Sequence, residues 1–512
     1  MGAGCYVRVF KASNLDNAQI LGLSIVPNIT ARETSAMSNT ILWHDYETSG
    51  TDPRRDRPLQ FAAIRTDEDL NPIGEPQTFY CKPAKDLLPN PEACLVTGIT
   101  PQYALEHGLA EVDFMVRVHD LFSRPGTCGA GYNSLRFDDE VTRHGLYRNL
   151  LDPYAREWRN GNSRWDLIDL MRACRALRPD GIVWPDHEDG RPSFRLEDLS
   201  AANGLEHASV HDALSDVQAT IALGKLIKRH QPRLWAYYYG LRRKRTVQGQ
   251  LDIPAMKPVL HVSGMYGHEN GFTTLGAPVC EHPTNPNGVL MFDLRHDPRP
   301  FLELSVEALR ERLFTPKDEF PEDEPRVPVK TLHINRSPMV APIKTLDPTS
   351  ARRLDIDVAQ CRRNADTLRT ARPFIHHLRD AFGGASSEAP KDPELMLYAG
   401  GFLGDADRGR LDRVRAARGL LTGLDLNFDD PRLEEMVFRF RARNFPQTLN
   451  EKETTRWEDY RYVRLTEPHG GGSIHLDAYY EELHRLGDDP KLGSEKIALL
   501  EALWAWGEYL LD

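Results

Sequence analysis

Thr40-Ile41-Leu42-Trp43-His44-Asp45-Tyr46-Glu47-Thr48 is the stretch on which the reading of this chain turns. Its apolar run, residues 41–46, predicts a β-strand. Side chains i and i+2 of a strand share a face, so Asp45 and Glu47 present two carboxylates side by side. Like charges that close repel, and a cation between them relieves the repulsion. Oxygen ligands without Cys or His favour Mg²⁺ or Mn²⁺. An isolated Asp-x-Glu is more often an exposed strand end, so the pair carries weight only in company.

Two further groups provide the company. Phe137-Asp138-Asp139-Glu140 follows a strand-like segment at 128–132 and opens a helix. One of its carboxylates can turn back to the site while another serves the helix start, and the sequence leaves open which. In His211-Asp212-Ala213-Leu214-Ser215-Asp216, Asp212 suits the N-cap of a helix marked by Val217 and Ile221. His211 then lies just before that helix and Asp216 in its first turn. A histidine so placed suits a general base, with an ordinary pKa of ~6.5.

Outward from these groups, strands are expected at 41–46, 60–64, 78–82 and 128–132. Helical spacing links Val112, Met115, Val118 and Phe122, and again Leu167, Met171 and Cys174. Strands and helices so mixed predict an α/β domain. After Gln231-Pro232 the segments shorten and proline and glycine punctuate them, with strands expected at 258–263, 288–294 and 329–334. That pattern predicts a small antiparallel sheet or barrel. Residues 383–394 read as a linker, and the remainder as helical. One apolar stripe there runs through Leu433, Met436, Val437 and Phe440, and another through Ile497, Leu500 and Trp504. The first ~36 residues read as a disordered extension.

At roughly 100–200 residues per domain, 512 residues suggest about three domains. The net charge of −11, from 64 Lys and Arg against 75 Asp and Glu, argues against a protein that coats nucleic acid nonspecifically. It does not exclude an enzyme that combines local acidity for metal with local basicity for phosphate. Seven scattered cysteines without a C-x-x-C pair argue against a zinc site and for thiols in a reducing cytoplasm. No apolar run approaches the ~20 residues of a membrane span. Between residues 141 and 180, eight arginines are interleaved with Tyr147, Tyr154, Trp158 and Trp165. Arginines with aromatic rings are how single strands are gripped, although a helical hairpin with buried rings has the same composition.

The order D-x-E, then D, then H-x-x-x-x-D resembles the DEDDh superfamily of 3′→5′ exonucleases. Longer strings extend the likeness. They include Asp56-Arg57-Pro58-Leu59-Gln60-Phe61, Arg136-Phe137-Asp138-Asp139-Glu140-Val141, Met256-Lys257-Pro258 and Arg441-Ala442-Arg443-Asn444-Phe445-Pro446. With these, the chain from about Thr40 to its end is similar to the bacterial exodeoxyribonuclease I family. The resemblance implies a ribonuclease H-like α/β exonuclease domain at 39–231, preceded by the extension at 1–38. An SH3-like β-barrel domain at 232–385 and an α-helical C-terminal domain at 386–512 would follow. It implies Asp45, Glu47, Asp138 and Asp216 as ligands of two Mg²⁺ ions, with Mn²⁺ as a substitute and His211 as general base. Asp138 is favoured over Asp139, which is left to serve the helix start. Glu47, Arg143, Tyr154, Trp158, Arg172, Arg195 and Lys257 would contact the strand, Arg195 having an ion pair with Glu197 or Asp198 as its other reading.

The activity so implied is processive 3′→5′ hydrolysis of single-stranded DNA to 5′-mononucleotides, in repair and recombination. A cytoplasmic bacterial monomer is expected, with the acidic C-terminal tail of single-stranded-DNA-binding protein as partner. The alternatives are another DEDDh nuclease of oligoribonuclease or proofreading type, which lacks the two extra domains, and a non-catalytic single-strand binder.

Overall fold

The computed structural model describes residues 39–207, 211–384 and 390–511. The expected N-terminal extension lies outside them. Five strands form the first sheet: β1 (Thr40–Thr48), β2 (Pro58–Thr66), β3 (Gln77–Tyr80), β4 (Thr127–Gly131) and β5 (Ser163–Asp166). Their order is β3-β2-β1-β4-β5, with antiparallel pairing up to β1 and parallel pairing from β1 through β4 to β5. The strand expected at 60–64 extends to nine residues, all buried. Nothing in the sequence reading marked β5 as a strand, because Ser163-Arg164-Trp165-Asp166 lacks the apolar alternation of an edge strand. Helices cover both faces, among them Glu111–Ser123, Ile168–Leu177 and Ala213–His230. Val112, Met115, Val118 and Phe122 are buried as their spacing predicts.

The second sheet is wholly antiparallel. Its strands are β6 (Val259–Val262), β7 (Thr273–Glu281), β8 (Gly288–Asp293), β9 (Val329–His333) and β10 (Met339–Pro342), in the order β10-β6-β7-β8-β9. The two sheets share a hydrophobic core, which runs from Trp43 and Trp165 through Trp235 and Tyr238 to Leu260, Leu275 and Phe292. The SH3-like part is therefore fixed against the exonuclease part by a dry interior.

The C-terminal region is helical. Leu433, Met436, Val437 and Phe440 are buried against Val112, Tyr147 and Leu150 of the first domain. The second expected stripe is displaced: Ile497 and Trp504 are exposed, and Leu500, Leu503, Trp506 and Leu510 face inward against Leu88 and Cys94. The helix Ser494–Leu511 is apolar on most sides, so periodicity alone did not select the packed face. The segment read as a linker is partly structural. Residues 385–389 lie outside the described residues, but Glu394 is buried and paired with Arg443.

Arg443 is the centre of an ionic joint. Its guanidinium also donates to both oxygens of Asp86, at 2.8–3.1 Å, and Asp86 is fully buried. Arg464 lies 3.4 Å from the same carboxylate. Burial opposes ionisation of Asp86, but Arg443 and Arg464 outweigh it and hold the carboxyl well below the usual carboxylate range. Such a depressed group contributes stability above its unfolded pKa of about 4, which is lost as pH falls through the folded value. Asp86→Ala leaves Arg443 and Arg464 short of a buried counter-charge and should cost about 3–5 kcal/mol in denaturant unfolding. The wild type should lose this part of its stability below about pH 4. A variant as stable as the wild type at pH 7 would show that the joint contributes nothing.

Candidate active site

β1 is paired along its length with β2, but with β4 only as far as Trp43 and Ala130. Beyond that point β1 and β4 diverge, and Asp45 and Glu47 project into the crevice at the carboxyl ends of the parallel strands. Crevices of this kind are where open α/β sheets bind ligands. The intervening His44 and Tyr46 point the other way, into a cluster with Phe61, Phe114 and Phe122. β4 ends at Gly131, a position that must be glycine because a Cβ there would lie 2.7 Å from Ser134 and 2.9 Å from the His44 carbonyl. The loop that follows is clamped by Asp166, which accepts from the backbone N–H groups of Asn133, Leu135 and Ile168 at 2.9–3.0 Å.

That loop delivers Asp138 at the first residue of the helix Asp138–Arg148. Its Oδ1 accepts from the backbone N–H of Tyr46 at 3.2 Å, which ties the helix start to β1 between the two strand carboxylates. Asp139 turns away, as the resemblance implied, but it does not cap the helix. It is buried between Arg156 at 2.7 Å and Arg164 at 3.0 Å, an ionic support for the wall behind the site. Asp212 is the N-cap of Ala213–His230, accepting from Ser215 N–H at 3.2 Å, and it also accepts from Gln60. Asp216 follows in the first turn.

Carboxylate oxygens of Asp45, Glu47 and Asp216 all lie within 4.8 Å of one another. These three, with Asp138 and His211, line one open cavity of about 630 Å³. His211 is exposed at its edge, with a left-handed backbone (φ 62°) that a non-glycine residue seldom adopts. Burial, and then the neighbouring carboxylates, push the Asp45 carboxyl well above its ordinary range. Glu47, only 6% exposed, is pushed up to about 9 by burial and by Asp216 and Asp138. Burial is also the main cause of the raised Asp138 and Asp216. Four carboxyl groups that resist ionising together, all with hard oxygen donors, fit divalent cations such as Mg²⁺ or Mn²⁺.

One partner in the site escaped the sequence reading. His207 Nε2 lies 2.5 Å from Asp216 Oδ1. Nothing in the spacing of His207 to the other groups signals that contact.

The residues expected to meet a strand are placed differently from one another. Trp158 is 63% exposed, with Arg159 over its ring. Tyr154 is half-buried and donates to the Leu397 carbonyl. Arg195 is exposed at the carboxylate cavity, and among the described residues neither Glu197 nor Asp198 pairs with it; Asp198 instead accepts from Ser193. Lys257 is exposed before β6, outside the wall of that cavity. Arg143 is buried, bidentate to Glu157 at 2.7 and 2.8 Å and bonded to Glu140 and Tyr398. Arg172 lines the cavity but pairs with Asp169 at 2.6 Å. Of the eight arginines between 141 and 180, only Arg159 lacks a carboxylate within 4 Å among the described residues. The arginine-rich segment is thus mainly an internal ionic framework, and Arg143 offers no free guanidinium. Among the described residues six cysteines are free, five of them buried, in keeping with core thiols.

A ribonuclease H-like sheet with acidic groups at its strand ends, an SH3-like sheet and a helical domain together define an exonuclease of the three-domain type. Family models match in the same order: an exonuclease model at residues 42–223, the exonuclease I SH3-like domain at 242–384 and the exonuclease I C-terminal domain at 391–510. Exodeoxyribonuclease I of Escherichia coli K12 is 48% identical over 475 residues, covering 92% of this chain and 98% of the relative. The solved structure of a moderately thermophilic exonuclease I from Methylocaldum szegediense is 50% identical with a TM-score of 0.88, over 93% of this chain and all of that one. The zinc-bound form of the E. coli enzyme with single-stranded DNA is 47% identical with a TM-score of 0.88, again over 93% of this chain and all of that one. The chain belongs to the exodeoxyribonuclease I family and is a hydrolase of that class.

The carboxylate repulsion has a measurable consequence. Asp45→Asn removes one of four crowded acidic groups, and with it the cost of holding that group against its ordinary ionisation, and should raise the melting temperature of the metal-free protein by about 1–2 °C. The same variant should lose most of the stabilisation that Mn²⁺ gives the wild type, since a ligand bound only to the folded state stabilises it. A variant with an unaltered Mn²⁺ shift would remove Asp45 from the metal site.

Proposed function

We propose that this chain degrades single-stranded DNA processively from its 3′ end, releasing 5′-mononucleotides by two-metal hydrolysis. The observation that carries the reading is the convergence of Asp45, Glu47 and Asp216 from distant stretches of chain into one acidic cluster beside Asp138 and His211. Asp45, Glu47, Asp138 and Asp216 are the groups that would hold the cations. Two Mg²⁺ ions held there would supply Lewis-acid stabilisation of the charge that develops at the scissile phosphate and would lower the pKa of the attacking water.

The protein's own groups do the rest. The Tyr46 N–H fixes one oxygen of Asp138 in the cavity wall. His211, at the solvent-facing edge, accepts the proton of the attacking water and returns it to bulk. Arg195, with no carboxylate partner among the described residues, meets the phosphate near the cluster, while Glu47 contacts the terminal nucleotide. Trp158 offers a ring for base stacking, worth about 1–3 kcal/mol without reading sequence. Tyr154 completes that wall, and Lys257 meets the strand from the SH3-like side. Arg143 and Arg172 act from within their ion pairs, shaping the groove rather than lending a free charge.

In this reading the domains divide at 39–231, 232–385 and 386–512, and the protein is a monomer of the bacterial cytoplasm. Among the described residues no helix is long and apolar enough to cross a membrane. Its partner is the acidic C-terminal tail of single-stranded-DNA-binding protein, and its setting is DNA repair and recombination. An end-labelled oligonucleotide with a free 3′ end tests the core of the proposal. Mononucleotides should be released with Mg²⁺ and not with EDTA, and faster from single-stranded DNA than from duplex DNA or RNA. Asp216→Ala should abolish release with the fold intact by circular dichroism, and His211→Ala should slow it by about 10²–10⁴-fold. Trp158→Ala should weaken strand affinity more than the chemical step. Equal rates on DNA and RNA, or an active Asp216→Ala, would overturn the reading.

A further inference from the structure

We propose that His207 is a positioning residue for metal binding, its ring holding the Asp216 carboxylate in the acidic cluster by a hydrogen bond. The proposal rests on the reading of that cluster as a site for divalent cations. The four carboxylates are fixed by different means. Asp45 and Glu47 sit on β1, whose backbone is paired along its length with β2. Asp138 accepts from the Tyr46 N–H at 3.2 Å. Asp216 stands on a separate element, in the first turn of the helix Ala213–His230. Among the described residues the one side chain that hydrogen-bonds its carboxylate is His207, whose Nε2 lies 2.5 Å from Oδ1.

The chain before His207 is built to deliver that ring. The helix Leu196–Ala202 closes on Asn203-Gly204-Leu205 in a Schellman turn: Gly204 takes φ 62°, its N–H bonds the Ala201 carbonyl at 3.2 Å, and the Leu205 N–H bonds the Ser200 carbonyl at 3.0 Å. The Asn203 amide locks the turn to the backbone of Val183, with two bonds of 2.8 Å, and Leu205 packs against the main core. Two residues on, the His207 side chain is buried, and its Nδ1 has no partner among the described residues. The contact with Asp216 is thus the ring's one hydrogen bond there. Repulsion from Asp45 and Glu47 drives a carboxylate on a helix surface out of the cluster, and a donor on one oxygen opposes that. Arginine or lysine would bring a permanent charge that competes with the cation, whereas an imidazole donates a single N–H without one. Groups that hydrogen-bond a metal ligand in this way change metal affinity by about 10–100-fold.

Mn²⁺ binding to the full chain without DNA, followed by isothermal titration calorimetry, tests this. H207F keeps a ring of similar size without the donor and should bind Mn²⁺ about 10–100-fold more weakly, with the circular dichroism of the wild type. H207A gives the same answer if H207F folds poorly. H207Q retains a donor and should recover most of the affinity, while H211A, at the neighbouring histidine, should leave it unchanged. In turnover of an oligothymidylate, the Mn²⁺ concentration for half-maximal rate should rise in H207F by the same factor, with KM for the strand at saturating metal unaltered. Wild-type Mn²⁺ affinity in folded H207F and H207A would overturn the proposal. So would tighter binding, which would make the ring a competitor of the cation, or an H207Q no better than H207F. A wild-type chain that neither binds Mn²⁺ nor degrades the oligomer with Mg²⁺ would overturn the exonuclease reading instead.

Discussion

Four carboxyl groups on one wall repel one another, and the fold must hold them together without neutralising them. An arginine paired with these carboxylates would relieve the repulsion and take the place of a cation. Among the described residues none of the four pairs with an arginine, although Arg172 and Arg195 line the same cavity, and Arg156 and Arg164 sit one layer back. Asp138 faces the cavity while its neighbour Asp139 takes Arg156 and Arg164, and Glu157 joins the same layer through Arg143 and Arg164. The helix that carries Asp138 is thus anchored by buried ion pairs, and the raised carboxyls in front of them keep their demand for a cation. Buried pairs are weak sources of net stability, but losing one partner is costly, so they fix position well.

The same device recurs between domains. Asp86 from the exonuclease domain and Glu394 at the start of the helical domain converge on Arg443. Where an apolar interface tolerates sliding, bidentate guanidinium–carboxylate geometry does not. The apolar core shared by the two sheets fixes the second domain by other means, through interdigitated packing. Together they hold the second and third domains in fixed register with the acidic cluster.

Much of this could be read before any coordinates. The apolar run of residues 41–46 marked the strand, the i, i+2 spacing marked the shared face of Asp45 and Glu47, and Asp212 read correctly as a cap. The order of the acidic groups, with the longer strings, pointed to the family. Long-range electrostatics were not legible. Arginines with aromatics between 141 and 180 have the same composition whether they meet solvent, a nucleic acid or buried carboxylates. Their partners include Glu111, Asp186 and Asp347, which no local spacing links to them. His207 against Asp216 was hidden for the same reason, as was the packed face of Ser494–Leu511, whose sequence is apolar nearly all round.

The net charge of −11 takes on a different sense once the partners are known. A protein that relied on many phosphate contacts would bind strongly at low salt and poorly in the cell. Here most arginines near the acidic cavity are neutralised, and among the described residues the cations without a carboxylate partner include Arg195 by the acidic cluster, Arg159 beside Trp158 and Lys257 before β6. Stacking rings and a few unpaired cations can hold a single strand without reading its sequence. A net negative charge repels a polyanion, and cations beside the acidic cavity offset that repulsion where a strand would have to enter.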